Sequence, residues 1–382
     1  MPTKTFTQEL AEWSELNLLN CIGVDECMKA CPVVDPELSI GELNEATREG
    51  SKLTPMTLKF AKECIQCGRC DAVCPTVASR SIMMLTLKEK MAKAGKAPEA
   101  HAKYFKIRGE DRSSTIRAGY NLYTKAKWSF KKEHAFKNAK LSRHIDKTTF
   151  KQAEYLFYFG CYIFGQHDSA AKTIDIADKL KMDYEVLGGL KSCCGWPQLI
   201  AGRTDEAEKY HKNLEELVKE SNPKYVISGC AECFMSLRKI KEKYSMSFEP
   251  LTTPMWLNMF TERLNLKKSD DIVTYHDSCH ISRKIGKPEP ARELLKKMCE
   301  IKEMPRSGAD DTFCCGYWGL GANPSQLEAI HFSRFDEASA TGAKEMIVEC
   351  VTCYDSFMKH ADKAGARPRD IVDLVHERMD VK

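Results

Sequence analysis

Ten cysteines in two similar patterns are the residues of this sequence best suited to carry chemistry. The patterns are Cys161, Cys193-Cys194-Gly195 and Cys230-Ala-Glu-Cys233, followed by Cys279, Cys314-Cys315-Gly316 and Cys350-Val-Thr-Cys353. Because each cysteine recurs 118 to 121 residues later, an internal duplication is predicted. Five converging thiols exceed the four ligands of a tetrahedral zinc site. They indicate a larger iron–sulfur cluster in which a sulfur is shared between irons.

This pattern resembles the cysteine-rich CCG domain of the heterodisulfide reductase family, over about residues 154 to 382. The resemblance implies that the five cysteines of each copy hold one noncubane [4Fe-4S] cluster. Relatives that only carry electrons often lack some of these cysteines, whereas both copies are complete here. The complete set favours a site that reduces a disulfide.

Two more cysteine runs lie in the N-terminal quarter of the chain. The second run, Cys64-Ile-Gln-Cys67-Gly-Arg-Cys70-Asp-Ala-Val-Cys74-Pro75, has the spacing of bacterial-type ferredoxins. The first run, Cys21-Ile-Gly-Val-Asp-Glu-Cys27-Met-Lys-Ala-Cys31-Pro32, keeps the register but has valine at position 24, where the second cysteine is expected. Zinc bound by the C-x-x-C pairs is the alternative, and the Cys-Pro endings argue against it.

The identity of residue 24 decides what the first run is expected to hold. Valine cannot ligate iron, so a [3Fe-4S] cluster is predicted, and the run resembles the three-cysteine run of succinate dehydrogenase iron–sulfur subunits. The carboxylate of Asp25 could instead hold a fourth iron in a [4Fe-4S] cluster. In ferredoxins, the last cysteine of each run binds the cluster of the other run. The same exchange here would place the first cluster on Cys21, Cys27 and Cys74. A [4Fe-4S] cubane would then lie on Cys31, Cys64, Cys67 and Cys70.

Strands alternate with helices in the duplicated part, which predicts an α/β fold of βαβ repeats with parallel sheets behind a helical N-terminal module. The predicted strands are Glu154–Phe159, Tyr184–Leu187, Tyr225–Ser228, Asp271–Tyr275 and Glu345–Val348. The expected domains are a two-cluster ferredoxin-like module (1–96), a basic helical connector (97–153), a first CCG domain (154–264) and a second (265–382).

The predicted strands place the cysteines where α/β proteins bind ligands. Cys161, Cys230, Cys279 and Cys350 each follow a strand, so they should gather at the carboxyl edges of the sheets. Two facing halves could then hold a small substrate between them. Reducing a disulfide also takes protons, and His276 and His280 are candidate catalytic proton donors. The alternative is that these histidines orient the loop or hydrogen-bond a cluster sulfur.

Composition limits the remaining possibilities. Eighteen cysteines in a chain without a recognisable export signal argue for metal rather than disulfides. A net charge of +4 on 382 residues does not indicate a nucleic-acid partner. The sequence contains no run of 18 apolar residues, so no transmembrane span is predicted. We therefore expect a cytoplasmic protein, held at most peripherally at the inner face of the membrane through a partner.

The connector mixes aromatic and basic side chains. Lys125, Lys127, Lys131, Lys132, Lys137 and Lys140 surround Trp128, Phe130 and Phe136. Such a stretch is typical of a solvated helical linker or of a face that docks on an acidic partner or on anionic lipid.

The order of the modules resembles the D-type polypeptide of heterodisulfide reductase, a fusion of a C-type ferredoxin module with B-type CCG domains. The resemblance implies an oxidoreductase of anaerobic metabolism that reduces the heterodisulfide of coenzyme M and coenzyme B. The alternative is a pure electron relay in a larger dehydrogenase, acyl-CoA reductase or quinone-linked complex. The sequence has no flavin or nicotinamide motif, so the reductant should arrive through a partner such as a flavoprotein or a membrane cytochrome b.

Overall fold

The computed structural model describes residues 4–101, 119, 122–124, 126, 141–166 and 168–381. A helical N-terminal module precedes two α/β units, so the predicted fold class is confirmed. The aromatic and basic residues of the connector, from 125 to 140, lie outside the described residues. Among the described residues, no helix combines the length and the apolar character needed to cross a membrane.

The N-terminal module consists of five helices around one largely buried helix. Its first helix begins after Thr5, which forms a capping box with Gln8. The last helix, Arg80–Lys93, lies at the centre of the module, because it packs against both the first and the fourth helices. The six helices are α1 (Phe6–Asn20), α2 (Glu26–Lys29), α3 (Ile40–Thr47), α4 (Pro55–Glu63), α5 (Arg69–Ala72) and α6 (Arg80–Lys93).

The first α/β unit is a parallel sheet of four strands in the order β2-β1-β3-β4. Every residue of the central strand β1 is buried, as expected for a parallel sheet covered on both faces. The strands are β1 (Tyr155–Gly160), β2 (Tyr184–Gly188), β3 (Tyr225–Ser228) and β4 (Glu249–Thr252). The helices are α7 (Ile163–Gln166), α8 (Ser169–Lys179), α9 (Trp196–Ile200), α10 (Thr204–Ser221), α11 (Ala231–Lys243), α12 (Thr253–Asn258) and α13 (Thr261–Leu264).

The second α/β unit repeats this topology in the order β6-β5-β7-β8, again with parallel strands. The strands are β5 (Ile272–His276), β6 (Glu300–Ile301), β7 (Glu345–Val348) and β8 (Arg367–Asp370). The helices are α14 (Glu289–Leu295), α15 (Gly308–Asp311), α16 (Pro324–Ala340), α17 (Val351–Met358) and α18 (Ile371–Arg378), and a turn of π-helix covers His280–Lys284. The matching strand orders agree with the predicted duplication.

The fourth strand of each sheet was absent from the sequence prediction. β4 contains Pro250 and β8 contains Pro368, and both strands lie at a sheet edge. Proline lacks the N–H that a central strand donates, so it is tolerated at an edge but weakens the strand signal in the sequence.

Two glycines show how closely the N-terminal module packs against both α/β units. A Cβ atom at Gly202 would lie 2.0 Å from the carbonyl oxygen of Lys88 in α6. A Cβ atom at Gly321 would lie 2.5 Å from the carbonyl oxygen of Lys62 in α4. These distances leave no room for a side chain, so the N-terminal module sits directly against each repeat.

Candidate metal centres

Three thiols of the N-terminal module line one cavity, and they are the three predicted for the first cluster. Cys21, Cys27 and Cys74 face this cavity together with Val24. Asp25 does not line it; its exposed carboxylate pairs with Lys29 at 2.8 Å instead. The arrangement offers three protein sulfurs and an apolar fourth side.

A second cavity is lined by Cys31, Cys64, Cys67 and Cys70, the four thiols predicted for the cubane. Cys27 lines both cavities, so the two sites are neighbours. The cysteine donors of both cavities suit an iron–sulfur cluster.

Arg80, which sequence reasoning missed, lies between these two cavities and lines both. Its side chain is buried, and its guanidinium donates to Asn44 Oδ1 at 2.6 Å and to Cys21 Sγ at 3.5 Å. Burial alone would raise the pKa of Cys21, but hydrogen bonds from Asn44 and the charge of Arg80 hold that pKa below its usual value. A buried cation beside thiolates offsets the negative charge of a bound cluster.

Replacing Arg80 with methionine is expected to make the first cluster harder to reduce, because a buried positive charge is lost beside it. A unit charge a few ångströms away, at an effective dielectric constant near ~20, changes the midpoint potential by on the order of 100 mV. An anaerobic redox titration followed by electron paramagnetic resonance (EPR) measures the shift. Arg80→Lys keeps the charge and should stay close to wild type. Equal potentials in all three proteins would contradict this role.

The first CCG copy assembles five buried thiols at the carboxyl edge of its sheet. Cys161 follows β1, the Cys193-Cys194 pair follows β2, and Cys230 caps the N-terminus of α11, which contains Cys233. Side-chain hydrogen bonds connect these thiols in the order Cys161, Cys193, Cys194, Cys233, Cys230. The structure thus brings together all five residues of the predicted set.

The second CCG copy has the same arrangement. Cys279 follows β5 and its Sγ lies 3.8 Å from that of Cys314. The series of hydrogen-bonded thiols continues through Cys315, Cys353 and Cys350. Cys350 occupies the N-cap position of α17. Gly195 and Gly316, which follow the two cysteine pairs, have φ of +75° and +71°. Glycine is favoured at both positions because this left-handed conformation strains other residues.

The two copies meet where α11 and α17 begin. Cys230 and Cys350 are hydrogen-bonded through their side chains. The amide of Ala231 donates to Cys350 Sγ at 3.4 Å, and the amide of Val351 donates to the carbonyl oxygen of Gly229 at 3.1 Å. The ten CCG thiols therefore form one continuous series. Helix N-termini at this junction favour negative charge there.

Protonation of these thiols differs from site to site. Burial raises the pKa of Cys67 to about 11, so this thiol holds its proton at neutral pH. Hydrogen bonds from Cys314 and Cys353 outweigh burial and lower the pKa of Cys315 to about 6. Metal binding requires thiolates, so cluster assembly must release protons from the buried thiols.

Glu232, inside the Cys230-Ala-Glu-Cys233 motif, is a buried carboxylate at the junction. It is 3% exposed and accepts hydrogen bonds from Trp318 Nε1 at 2.8 Å and from Cys230 Sγ at 3.1 Å. Thr352 Oγ1 donates at 3.3 Å, and His280 Nδ1 lies 3.1 Å away. One side chain of the first copy thus contacts three elements of the second. Sequence reasoning missed Glu232, because these partners lie 48 to 120 residues further along the chain.

The structure separates the two candidate proton donors. His280 is buried and lies between Glu232 and the carbonyl oxygen of Gln66, 3.1 Å from its Nε2. Both partners accept hydrogen bonds, so only a protonated ring can donate to both. Burial opposes the charge, but Cys279 and the hydrogen bond to Glu232 raise the pKa of His280 above its usual value. Proton donation by His280 therefore stays a prediction. His276 packs against Phe357, and burial lowers its pKa to about 3. A neutral imidazole of that pKa is poorly suited to donate protons near neutral pH.

Two other histidines, His211 and His331, occupy equivalent places in the two copies and were missed. His331 Nε2 lies 2.8 Å from the carbonyl oxygen of Cys315, and His211 is hydrogen-bonded to the backbone of Cys194. Burial lowers their pKa to about 3 for His211 and about 4 for His331, so both rings are neutral. Their separation of 120 residues, equal to the repeat offset, is the sequence signal that could have found them.

The second cavity of the N-terminal module lies beside the second CCG copy. Cys67 interacts electrostatically with Cys279 and with Cys314. Arg283, in the π-helical turn, donates to the carbonyl oxygen of Cys67 at 2.8 Å. The order in space is the first cavity, the second cavity, the second CCG copy and then the first copy.

Comparison with known proteins agrees with this geometry. The cysteine-rich CCG domain model matches residues 155–238 and 273–358. The D-type polypeptide of the dihydromethanophenazine:CoB–CoM heterodisulfide reductase from Methanosarcina barkeri is 24% identical over 98% of this chain and 97% of its own length. Its counterpart from Methanosarcina acetivorans is 27% identical over 60% of this chain and 59% of its own length.

A third relative is the B-type polypeptide of the CoM/CoB fumarate reductase from Methanothermobacter marburgensis. It is 22% identical over 94% of this chain and 71% of its own length. With its two matched CCG domains and its full-length similarity to the Methanosarcina barkeri protein, this chain resembles the D-type polypeptide of heterodisulfide reductase.

Proposed function

We propose that this chain is an iron–sulfur redox subunit that takes electrons from a partner and delivers them to a disulfide held between its two CCG sites. The observation that carries this proposal is the succession of thiol groups from the first cavity to the Cys230–Cys350 junction. The relatives support it, since their names describe them as subunits of reductases.

The donor sets support four clusters. Three thiols around the first cavity suit a [3Fe-4S] cluster, and four around the second suit a [4Fe-4S] cubane. Each set of five CCG thiols would hold one noncubane [4Fe-4S] cluster. When bound, this pair of clusters supplies the two electrons that cleave a disulfide, one electron from each.

The reaction is R–S–S–R′ + 2e⁻ + 2H⁺ → RSH + R′SH, in which the S–S bond breaks and each sulfur gains one electron and one proton. The chain's own residues prepare the place for it. The CCG thiols are at most 7% exposed, so water is largely excluded from the junction. The contacts from Glu232 to His280 and Trp318 fix one CCG site relative to the other. Each of the two sulfurs of the bound disulfide could then contact one CCG site, and the orientation of the substrate would be the same in every turnover.

The substrate we propose is the heterodisulfide of coenzyme M and coenzyme B. Both coenzymes appear in the name of the heterodisulfide reductase relative and in that of the fumarate reductase relative, although these are two different enzymes. The electron donor would be a flavoprotein or a membrane cytochrome b in the same complex.

Anaerobic turnover of this heterodisulfide by the iron-loaded chain, with a reduced viologen dye as donor, tests the proposal. We expect dye oxidation that depends on the heterodisulfide. Cys279→Ala and Cys314→Ala should each lower the rate by more than about a hundredfold, because a cluster ligand is lost.

Cys299→Ala is the matched control. This cysteine is also buried, but it lies outside both CCG sets and its thiol donates to the carbonyl oxygen of Leu295 at 3.3 Å. Its variant should turn over like wild type. A fully iron-loaded chain that leaves the heterodisulfide intact would refute the proposal and favour a pure electron relay.

A further inference from the structure

Exposed apolar side chains surround the first cavity. Leu19 is 83% exposed, Ile22 is 65% exposed and Val77 is 88% exposed. Ile22 and Val24 line the cavity that contains Cys21, Cys27 and Cys74. Large apolar groups in water mark an interaction site when they lie together.

These side chains belong to one continuous surface. Leu18 of α1 packs with Ala78 and Met83 next to Cys74, and the amide of Ser79 donates to Asn17 Oδ1 at 2.5 Å. The end of α1 is thereby joined to the loop that follows Cys74. We name this surface the N-terminal apolar patch, and it consists of Leu19, Ile22, Val24 and Val77.

Val77 gives independent support, because its backbone is strained. Its φ is +53°, a left-handed conformation that is unfavourable for a β-branched residue. Its side chain is also directed into water. A residue that is unfavourable in both respects is better explained by a binding function than by folding.

Charge identifies the kind of partner. Between residues 4 and 49 there are ten acidic and three basic residues, whereas the whole chain carries a net charge of +4. Glu26 and Asp25, the latter also paired with Lys29 at 2.8 Å, are exposed beside Val24 in the patch. Such a rim attracts a basic protein face and repels both an anionic lipid surface and a second copy of the same rim.

We propose that the N-terminal apolar patch docks a redox protein whose own docking face is apolar and ringed by lysine or arginine. The inference rests on the proposed function, because it assigns electron entry to the site of Cys21, Cys27 and Cys74. In each transfer the partner's redox centre loses one electron and this site gains it, with no bond made or broken. The patch lies at the end of the cluster series farthest from the CCG junction.

A stopped-flow experiment tests the docking without the disulfide. The iron-loaded chain, reduced with dithionite, is mixed with a c-type cytochrome that has lysines around its haem edge. We expect the second-order rate constant to fall about tenfold between low and physiological salt, because the attraction is electrostatic. The double variant Leu19→Ser, Val77→Asn, which leaves the cavity lining intact, should lower it at least about fivefold through lost apolar contacts.

Met259→Ser is the matched control, since Met259 is also an exposed apolar residue but lies on the first α/β unit. It should keep the wild-type rate, and all variants should react normally with a small viologen dye. Equal cytochrome rates in the double variant and wild type would overturn the proposal. Failure of heterodisulfide turnover would leave this measurement unaffected, so the two proposals can fail separately.

Val77→Asn alone separates docking from folding. Asparagine tolerates the left-handed conformation, so the variant should be as stable as wild type or more so. Its reaction with the cytochrome should nevertheless slow down by about twofold or more. Slower reaction together with lower thermal stability would indicate a structural role for Val77 and count against the patch.

Photocrosslinking in the native cells identifies the occupant. A benzophenone amino acid is placed at position 19, and another at position 259 as control. Crosslinking from position 19 alone to a flavin- or haem-binding protein, through a peptide rich in lysine or arginine, would support the proposal. Crosslinks from position 19 only to lipid, or only to a second copy of this chain, would overturn it.

Discussion

Val24→Cys is expected to convert the first N-terminal site into a four-thiol site and to raise the iron content by one atom per chain. Val24 lines the same cavity as Cys21, Cys27 and Cys74, so a sulfur at this position would face the fourth side of the cluster. The sequence run then matches the four-cysteine ferredoxin pattern.

Two measurements detect the conversion of the three-thiol site into a four-thiol site. The EPR signal of an oxidised [3Fe-4S] cluster, expected in wild type, should disappear, and a reduced [4Fe-4S] signal should replace it. The midpoint potential of the site should fall by on the order of 100 mV or more, because the added thiolate brings negative charge. Iron analysis should give the additional atom independently of the spectra.

Val77→Cys is the control for a merely nearby thiol. This position belongs to the same exposed surface but does not line the cavity, so the iron content should stay at the wild-type value. A wild-type site that already holds four irons would contradict the [3Fe-4S] assignment. Loss of one iron in Asp25→Ala would then identify the carboxylate as its ligand.

Glu232→Leu is expected to cause the largest loss of stability, because it removes the shared acceptor of several buried donors. Trp318 Nε1, Thr352 Oγ1 and the thiol of Cys230 would all lose their bond to this carboxylate. Removing one partner from a buried polar network costs about 3–5 kcal/mol. The loss should be greatest where the two CCG copies meet.

Native-state hydrogen exchange measures this effect at the junction itself. The amides of Ala231 and Val351 connect the two copies, and their exchange should accelerate by at least about a hundredfold, which corresponds to about 3 kcal/mol. Glu242→Leu, in the same helix but with an exposed side chain, should leave these amides unchanged. Glu232→Gln retains one acceptor oxygen and should give an intermediate rate. Wild-type exchange in Glu232→Leu would show that Glu232 does not hold the junction.

Periodic and short-range features could be predicted from the sequence alone. The duplicated cysteines, the ferredoxin spacing and the βαβ rhythm each depend on residues close in sequence or on a constant offset. Strand predictions for β1, β2, β3, β5 and β7 were correct to within one residue at each end, because buried parallel strands are short runs of apolar residues. The edge strands β4 and β8 were missed, because a proline in each obscures the strand pattern, and β6 was missed because it has only two residues.

The tertiary structure alone decided how these parts come together. Cys230 meets Cys350 across 120 residues, and His280 contacts Gln66 across 214 residues. Arg80 lies between two cavities because α6 is packed at the centre of its module. Burial in β5 makes His276 a neutral core residue, although its neighbours in sequence had suggested proton transfer. Spacing along the chain fixes which residues share a loop, whereas the packing of helices against sheets fixes which loops share a site.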